Sequence, residues 1–389
     1  MAIMGTAPAD DLLLSIGGVV CLSRLGSCPV LKPLMAARYG LFRLPCAPAC
    51  APSCVLDWTE GPAPERGPSV GPGPVVRVTD KGVSLSRRDF EARLVPSAGR
   101  DGRAIWRGTC RCAVHPHSAD ALLRTLWSVL LPRAGGALFH ACAVRHGGGG
   151  LLFPGVSGAG KTTIARKVAD GWQVLSDELV PVRADADGLF RACPSPFWGG
   201  YAIGGASMRG VPLALVVFPR KGRREAAAAL TPAETAHRLL ATLLCFEAGA
   251  EVAAANVAFA ARLGATVPGV ELETAVDTPF PDLVRALAPW LGKAALACEP
   301  PASPRERISD LRARLRATGA HAFRADGDSM RPAIRDGDTV FVEPCTARDA
   351  VTGDVLLYWK PGPGPEDDIL VCHRLVGRRA TAAGTRVVA

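Results

Sequence analysis

Apolar residues recur along this chain at two periods, and the changes of period outline its elements. From Val75 onward, short alternating runs (VVRVTD, then GVSLS) read as strands. Residues 118–131 place apolar side chains at helical spacing and predict a helix. Apolar runs over 137–144 and 151–154, with the glycine run Gly147–Gly150 between them, predict two strands. A glycine-rich turn then leads into a helix from Lys161, and further short strands are expected over 172–176, 179–182 and 213–218. Thr231-Pro232-Ala233-Glu234 has the form of a capping box, in which the two polar side chains satisfy each other's backbone N–H groups. It opens a helix expected to reach about Phe246, and helices over 251–263 and 281–291 follow.

Two stretches break the periodicity. Residues 45–74 hold eight prolines and four glycines, a linker composition that sets apart a poorly defined amino-terminal region, 1–74 in all. A second linker, 293–304, contains AALACEPPASP. Beyond it, an Arg-rich segment carries Ile308, Leu311 and Leu315 on one helical face. Then TVFVEP, DVLLYW, ILVCHRLVG and TRVV alternate with Gly, Pro and Asp turns. The expected organisation is a mixed α/β domain over 75–292 followed by a small mostly-β domain over 305–389.

Composition narrows the class. The chain has 389 residues, 48% hydrophobic and 21% charged, which suits about two globular domains at roughly 100–200 residues each. The apolar run from Leu12 to Leu22 is half the length of a bilayer span and follows Asp10 and Asp11, so no membrane anchor is expected, and the protein is expected in the cytoplasm. The net charge of +9 rests on arginine, since only seven of the 45 basic residues are lysine. The basic runs over 220–224 and 305–316 carry no aromatic residues for base stacking, so no nucleic-acid partner is expected. Thirteen cysteines, an odd number, read as thiols or metal ligands in a reducing compartment, not as a disulfide framework.

Chemistry concentrates first in Gly155-Val156-Ser157-Gly158-Ala159-Gly160-Lys161-Thr162, which fits G-x-x-x-x-G-K-[ST] between a strand and a helix. Glycines let backbone N–H groups face phosphates, the lysine reaches the outer phosphate oxygens, and the threonine hydroxyl suits Mg²⁺. Gly155, Ser157, Gly158, Ala159, Gly160, Lys161, Thr162 and Thr163 are therefore the expected nucleotide-binding residues. Asp177 and Glu178 follow the strand over 172–176, where the carboxyl ends of neighbouring strands would place them beside this loop. One carboxylate could hold metal and the other accept a proton from an attacking hydroxyl. His140 precedes Gly155 by fifteen residues, on the preceding strand.

The ordered set of His140, GVSGAGKT and Asp177-Glu178 resembles the carboxy-terminal domain of HPr kinase/phosphorylase and its stand-alone relatives, over about 118–291. The family carries Asp-Asp where this chain has Asp-Glu. In place of its later glutamate-containing signature this chain has only Met208-Arg209-Gly210. The resemblance implies a P-loop kinase fold with ATP and Mg²⁺ as cofactors. It makes Asp177 the base toward a serine hydroxyl, places His140 near the phosphates, and assigns the metal to Thr162 and Glu178. The implied partner is a peptide or small-protein substrate, with a homo-oligomer left open.

A second set lies near the carboxyl end: Gly327-Asp328-Ser329-Met330-Arg331-Pro332, then Gly353-Asp354-Val355, then Cys372-His373-Arg374-Leu375. A serine hydroxyl needs a base to become a nucleophile, and a strand about forty residues downstream can supply one. The set resembles the catalytic module of signal peptidases and LexA-type self-cleaving proteins. The resemblance implies Ser329 as nucleophile and His373 as base, with Lys360 a weaker alternative. It also implies that the module stops short of its last Gly-Asp segment at Ala389.

Cysteine spacing adds little. Cys46, Cys50 and Cys54 read as Ala/Pro/Cys repetition, not a zinc half-site. Cys110, Cys112, His115 and His117 offer four donors, but strand alternation sends the pairs to opposite faces unless Pro116 bends the chain. Cys142 and Cys372 read as small apolar strand residues. The combined expectation is an ATP-dependent Ser/Thr kinase fused to a Ser-His peptidase-like module, suited to peptide maturation. The alternative is a nucleotide-gated regulator whose peptidase-like module is inactive.

Overall fold

A computed structural model describes residues 11–44, 52–62, 73–98, 104–146, 148–156, 158–168, 172–185, 188–199, 210–222, 226–275 and 277–291. Near the carboxyl end it describes 321–324, 330, 333–334, 339–342, 350–360, 369–381 and 384–388. The chain forms two compact units, Met1–Glu299 and Pro300–Ala389. It is a mixed-sheet α/β protein with a mostly-β carboxy-terminal region.

The first unit begins with β1 (Asp11–Ile16) and β2 (Val19–Arg24), joined by Gly17-Gly18 with φ of 60° and 80°. Two consecutive left-handed residues make the tight turn whose twist matches a hairpin. Next come α1 (Leu31–Tyr39), β3 (Cys54–Glu60), β4 (Val75–Thr79), β5 (Gly82–Arg87), β6 (Phe90–Ala98) and β7 (Ala104–Cys112). All seven strands form one sheet in the order β1-β2-β3-β7-β6-β5-β4. Residues 11–44 and 52–62 thus supply defined strands and a helix where a poorly defined amino-terminal region is expected, and residues 45–51 and 63–72 of the expected linker lie outside the described residues. Inside the Pro/Gly-rich stretch, CVLDWTE turns Cys54, Leu56 and Trp58 into the core and leaves Asp57 and Thr59 outside. That alternation makes β3 a central strand, parallel to both β2 and β7.

α2 (Pro116–Arg133) follows, a turn longer than its apolar period suggested. Twelve of its 18 residues are buried, because it packs against both the seven-stranded sheet and the next one. The Trp127 indole N–H donates to the Ile16 carbonyl on β1 at 3.0 Å.

The second sheet contains β8 (Gly136–His146), β9 (Gly149–Pro154), β10 (Trp172–Ser176), β11 (Leu179–Ala184), β12 (Phe190–Ala192), β13 (Val211–Lys221), β14 (Ala226–Leu230) and β15 (Gly269–Thr274). Its pairings β8-β9-β13-β12-β11-β8 close a circuit, with β10 added at β8 and β15-β14 added at β13. The helices are α3 (Lys161–Lys167), α4 (Pro232–Leu240), α5 (Ala250–Thr266) and α6 (Phe280–Leu287). Alternate residues of β8 serve two cores: Phe139, Ala141 and Ala143 face α2, whereas Cys142 and Val144 face the cluster holding Ile164 and Leu283. The Thr231–Glu234 capping box forms as expected. The helix it opens ends at Leu240, short of Phe246, because Leu243 bridges to Phe139 at the sheet.

The second unit contains three two-stranded ladders among its described residues. They pair β16 (His321–Arg324) with β17 (Thr339–Val342), β18 (Val355–Lys360) with β19 (Ile369–Arg374), and β20 (Gly377–Thr381) with β21 (Gly384–Val388). The Arg-rich segment over 305–316 lies outside the described residues.

One buried acid joins the layers of the first unit. Asp120 on α2, only 7% exposed, accepts from Arg38 Nε at 2.9 Å, from the Tyr39 hydroxyl at 3.0 Å and from Arg124 Nε at 2.5 Å. Burial, and the Asp120 charge beside it, hold the Tyr39 hydroxyl well above its usual pKa. Asp120→Ala would leave these donors without their acceptor, and a cost of about 3 kcal/mol or more is expected in urea unfolding. Asp57→Ala, which removes the partner of exposed Arg24, should cost under about 1 kcal/mol. Equal costs would contradict the assignment of the junction.

Candidate functional site

Three parallel strands, β9, β13 and β15, end at one side of the second sheet. A cavity of about 710 Å³ opens there, within the range of small-molecule sites. Its walls come from the loop after β9, from Arg220 and Lys221 at the end of β13, and from Thr274 at the end of β15 with Ala275 after it. Ligand sites beyond the carboxyl ends of parallel strands are a general property of α/β sheets.

The loop after β9 is tightly made. Gly155 is required for close approach, since a Cβ there would fall 2.6 Å from the Ala159 side chain. Gly160 caps α3 at φ 96°, a conformation side chains rarely adopt. Lys161 folds its ammonium back on the loop, donating to the Gly155 carbonyl at 2.7 Å and the Val156 carbonyl at 2.9 Å. Burial lowers its pKa from the ordinary 10.5, opposed by the charges of Glu178 and Asp177. Gly158, Ala159, Gly160, Lys161, Thr162 and Thr163 all line the cavity. Gly155 lies at the start of the loop, and Ser157 lies outside the described residues.

The acid pair arrives by a route that strand-end logic did not foresee. β10 and β11 run antiparallel along the same partner, β8, with Trp172 opposite His146 and Leu179 opposite His140. Their register shifts by one residue between Val174 and Ser176, and Asp177-Glu178 fall just after the shift. Bulges of this kind re-aim side chains and recur beside functional sites. Asp177 is 1% exposed, accepts the Gly199 N–H at 2.8 Å, and reaches the cavity wall.

His140 lies opposite Leu179, just past the acid pair. Its N–H donates to the Thr242 carbonyl at 2.7 Å, and its carbonyl accepts from Gly155 N–H at 3.0 Å. Ala141 N–H donates to the Glu178 carbonyl at 3.0 Å. The imidazole lines the cavity with its pKa lowered from 6.5, first by burial and then by the Lys161 charge. It is therefore a neutral group at pH 7. Burial and the Asp177 charge push the neighbouring Cys142 thiol up, which suits a packed strand residue.

Glu178 also lines the cavity, but its carboxylate is engaged. Arg124 from α2 meets it with Nη1–Oε1 at 2.8 Å and Nη2–Oε2 at 2.9 Å. Arg124 is in turn held by Asp120 and lies over the Phe197 ring. Sequence reasoning missed this arginine. The four-residue spacing from Asp120 to Arg124 was visible as a helical ion pair, yet nothing local pointed to Glu178, 54 residues away. Lys167, Gly199 and Thr242 were missed for the same reason.

Ser329 is outside the described residues. His373 is half-buried on β19 opposite Leu356, and Lys360 stands at the far end of the same ladder. The Gly353-Asp354 turn is fastened to this strand, Gly353 N–H donating to the Leu375 carbonyl and Leu375 N–H to the Asp354 carbonyl. Cys110 and Cys112 point together into the core, while His115 caps α2 by accepting the His117 N–H. Among the described residues no three His, Cys, Asp or Glu side chains gather as a metal group, and no helix is long and apolar enough to cross a membrane.

Residues 117–257 match the family model of ScmC, the SynChlorMet cassette protein. The ScmC match spans from α2 into α5 and contains His140, the loop, the acid pair and Arg124. The whole seven-stranded sheet precedes it. No curated protein matches the chain.

The engagement of Glu178 is measurable. A double-mutant cycle of Arg124→Gln and Glu178→Gln in urea unfolding should give a coupling of about 1–2 kcal/mol. Additive effects would place the carboxylate elsewhere.

Proposed function

We propose that the Met1–Glu299 unit is an ATP-dependent kinase, of P-loop type, that phosphorylates a serine or threonine of a peptide or small protein in the cytoplasm. The observation carrying this reading is that one cavity is lined together by Lys161, Thr162, His140, Asp177 and Glu178. In this reading Lys161 exchanges the Gly155 and Val156 carbonyls for phosphate oxygens, which suits an ammonium already held by acceptors alone. Buried Asp177 takes the proton of the substrate hydroxyl as its oxygen bonds to the outer phosphorus and the bond to the ADP oxygen breaks. Neutral His140 adds no positive charge against Lys161 and can hydrogen-bond a phosphate oxygen.

A hydroxyl and a carboxylate beside phosphates are donors that Mg²⁺ accepts. Thr162 and Glu178 would hold it, and Mg²⁺ when bound would neutralise charge on the phosphates. Glu178 reaches that role by exchanging Arg124, so the arginine sets how readily the carboxylate is released. For Pro300–Ala389 we retain the Ser329/His373 peptidase-like reading. It is supported by the sequence set and by the fastening of the Gly353-Asp354 turn to Leu375, two residues beyond His373.

The test is transfer of label from γ-labelled ATP to a pool of serine- and threonine-containing peptides. Asp177→Asn should lower transfer by roughly a hundredfold or more. Transfer at the full rate in that variant would remove the base assignment. Nucleotide binding with no transfer to any peptide would favour the nucleotide-gated regulator.

A further inference from the structure

The seven-stranded sheet has two unlike faces. One packs Leu14, Cys21, Trp58 and Leu94 into the core around α2. The other, over β4, β6 and β7, presents exposed Arg77 on β4, Arg93 on β6, and Arg107 and Arg111 on β7, with Lys81 in the β4–β5 turn. Three acids stand among them: Glu91 opposite Arg111 and Asp57 on β3 opposite Thr109 by register, and Asp80 next to Lys81.

This face is hollowed as well as charged. Two adjoining depressions of about 400 and 390 Å³ lie on it, one over β4, β5 and β6, the other over β6, β7 and β3. Glu91 and Arg93 line both, so the two make one trough across five strands. Glycines let the strands close up beneath it. A Cβ at Gly82 would fall 2.1 Å from the Leu94 carbonyl oxygen, and one at Gly108 would fall 2.0 Å from that of Arg93.

The chemistry of the trough selects its occupant. Arg77, Lys81, Arg93 and Arg111 call for carboxylates, and the hydroxyls of Thr59 and Thr109 offer hydrogen bonds between them. Among the described residues no aromatic side chain lines either depression, which leaves unstacked bases without a platform there. Arg77 pairs across to Ser84, and Ser84 to Arg93, so the two arginines stand two strands apart, roughly 10 Å. An extended chain of polyproline-II form repeats one face every third residue, at about 9 Å.

We infer that this trough docks an extended acidic polypeptide segment with carboxylates at about every third position. The surface lies outside the ScmC match and is distinct from the cavity, so the inference stands whether or not the cavity transfers phosphate.

The test is fluorescence anisotropy with the intact chain and a labelled Glu-Pro-Ser repeat peptide of about a dozen residues. Binding is expected to weaken with added salt and to be absent for the Gln-Pro-Ser repeat. Arg93→Glu with Arg111→Glu should weaken it roughly tenfold or more. Arg262→Glu with Arg285→Glu, the same charge change elsewhere on the surface, should leave it unchanged. Arg93→Gln with Arg111→Gln, checked for an unaltered melting temperature, gives the same reading if the reversal fails to fold. Equal weakening by both Glu pairs, equal affinity for the Gln peptide, or tighter binding of a single-stranded oligonucleotide of matched charge would each overturn the inference.

Discussion

The site hangs on two consecutive peptide groups in the middle of β8. His140 anchors the start of the glycine loop through its carbonyl and the end of α4 through its N–H. Ala141 N–H holds the backbone of Glu178. Three segments far apart in sequence are thereby fixed to one point by main-chain bonds, which no side-chain substitution removes. Because β8 buries both its faces, that point cannot shift without disturbing two cores at once. The one-residue register change beside it then sets where the two carboxylates go.

A second layer of order is ionic. Arg38 and Tyr39 from α1 meet Asp120 on α2, Asp120 meets Arg124, and Arg124 meets Glu178 at the cavity. The amino-terminal part is thus joined to the site by a chain of partly buried charges as well as by apolar packing. Such chains are costly to break from one end, because each charge is left in a medium that solvates it poorly.

Much of this was legible in the sequence where local chemistry decides the outcome. The glycine loop, its lysine, the capping box at Thr231 and the strand runs from Ala137 to Val182 follow from spacing alone. What escaped was decided at long range. Proline density hid β3, whose alternation of Cys54, Leu56 and Trp58 gains meaning only with β2 and β7 on either side. Ala226–Leu230, rich in the best helix-forming residue, is a strand because β15 offers it a ladder. Asp177 and Glu178 were identified as a pair, but their antiparallel setting and the Arg124 contact depend on tertiary pairing that no local period records.

The central claim is that the cavity binds the phosphates of a nucleotide through Lys161. Calorimetric titration of Mg-ATP into the intact chain and into Lys161→Ala tests it most directly. Binding by the unaltered chain, weakened by roughly tenfold or more in the variant, is predicted, the equivalent of about 1.4 kcal/mol for one charge-assisted contact. Equal binding by both proteins, or no binding by either, would contradict it.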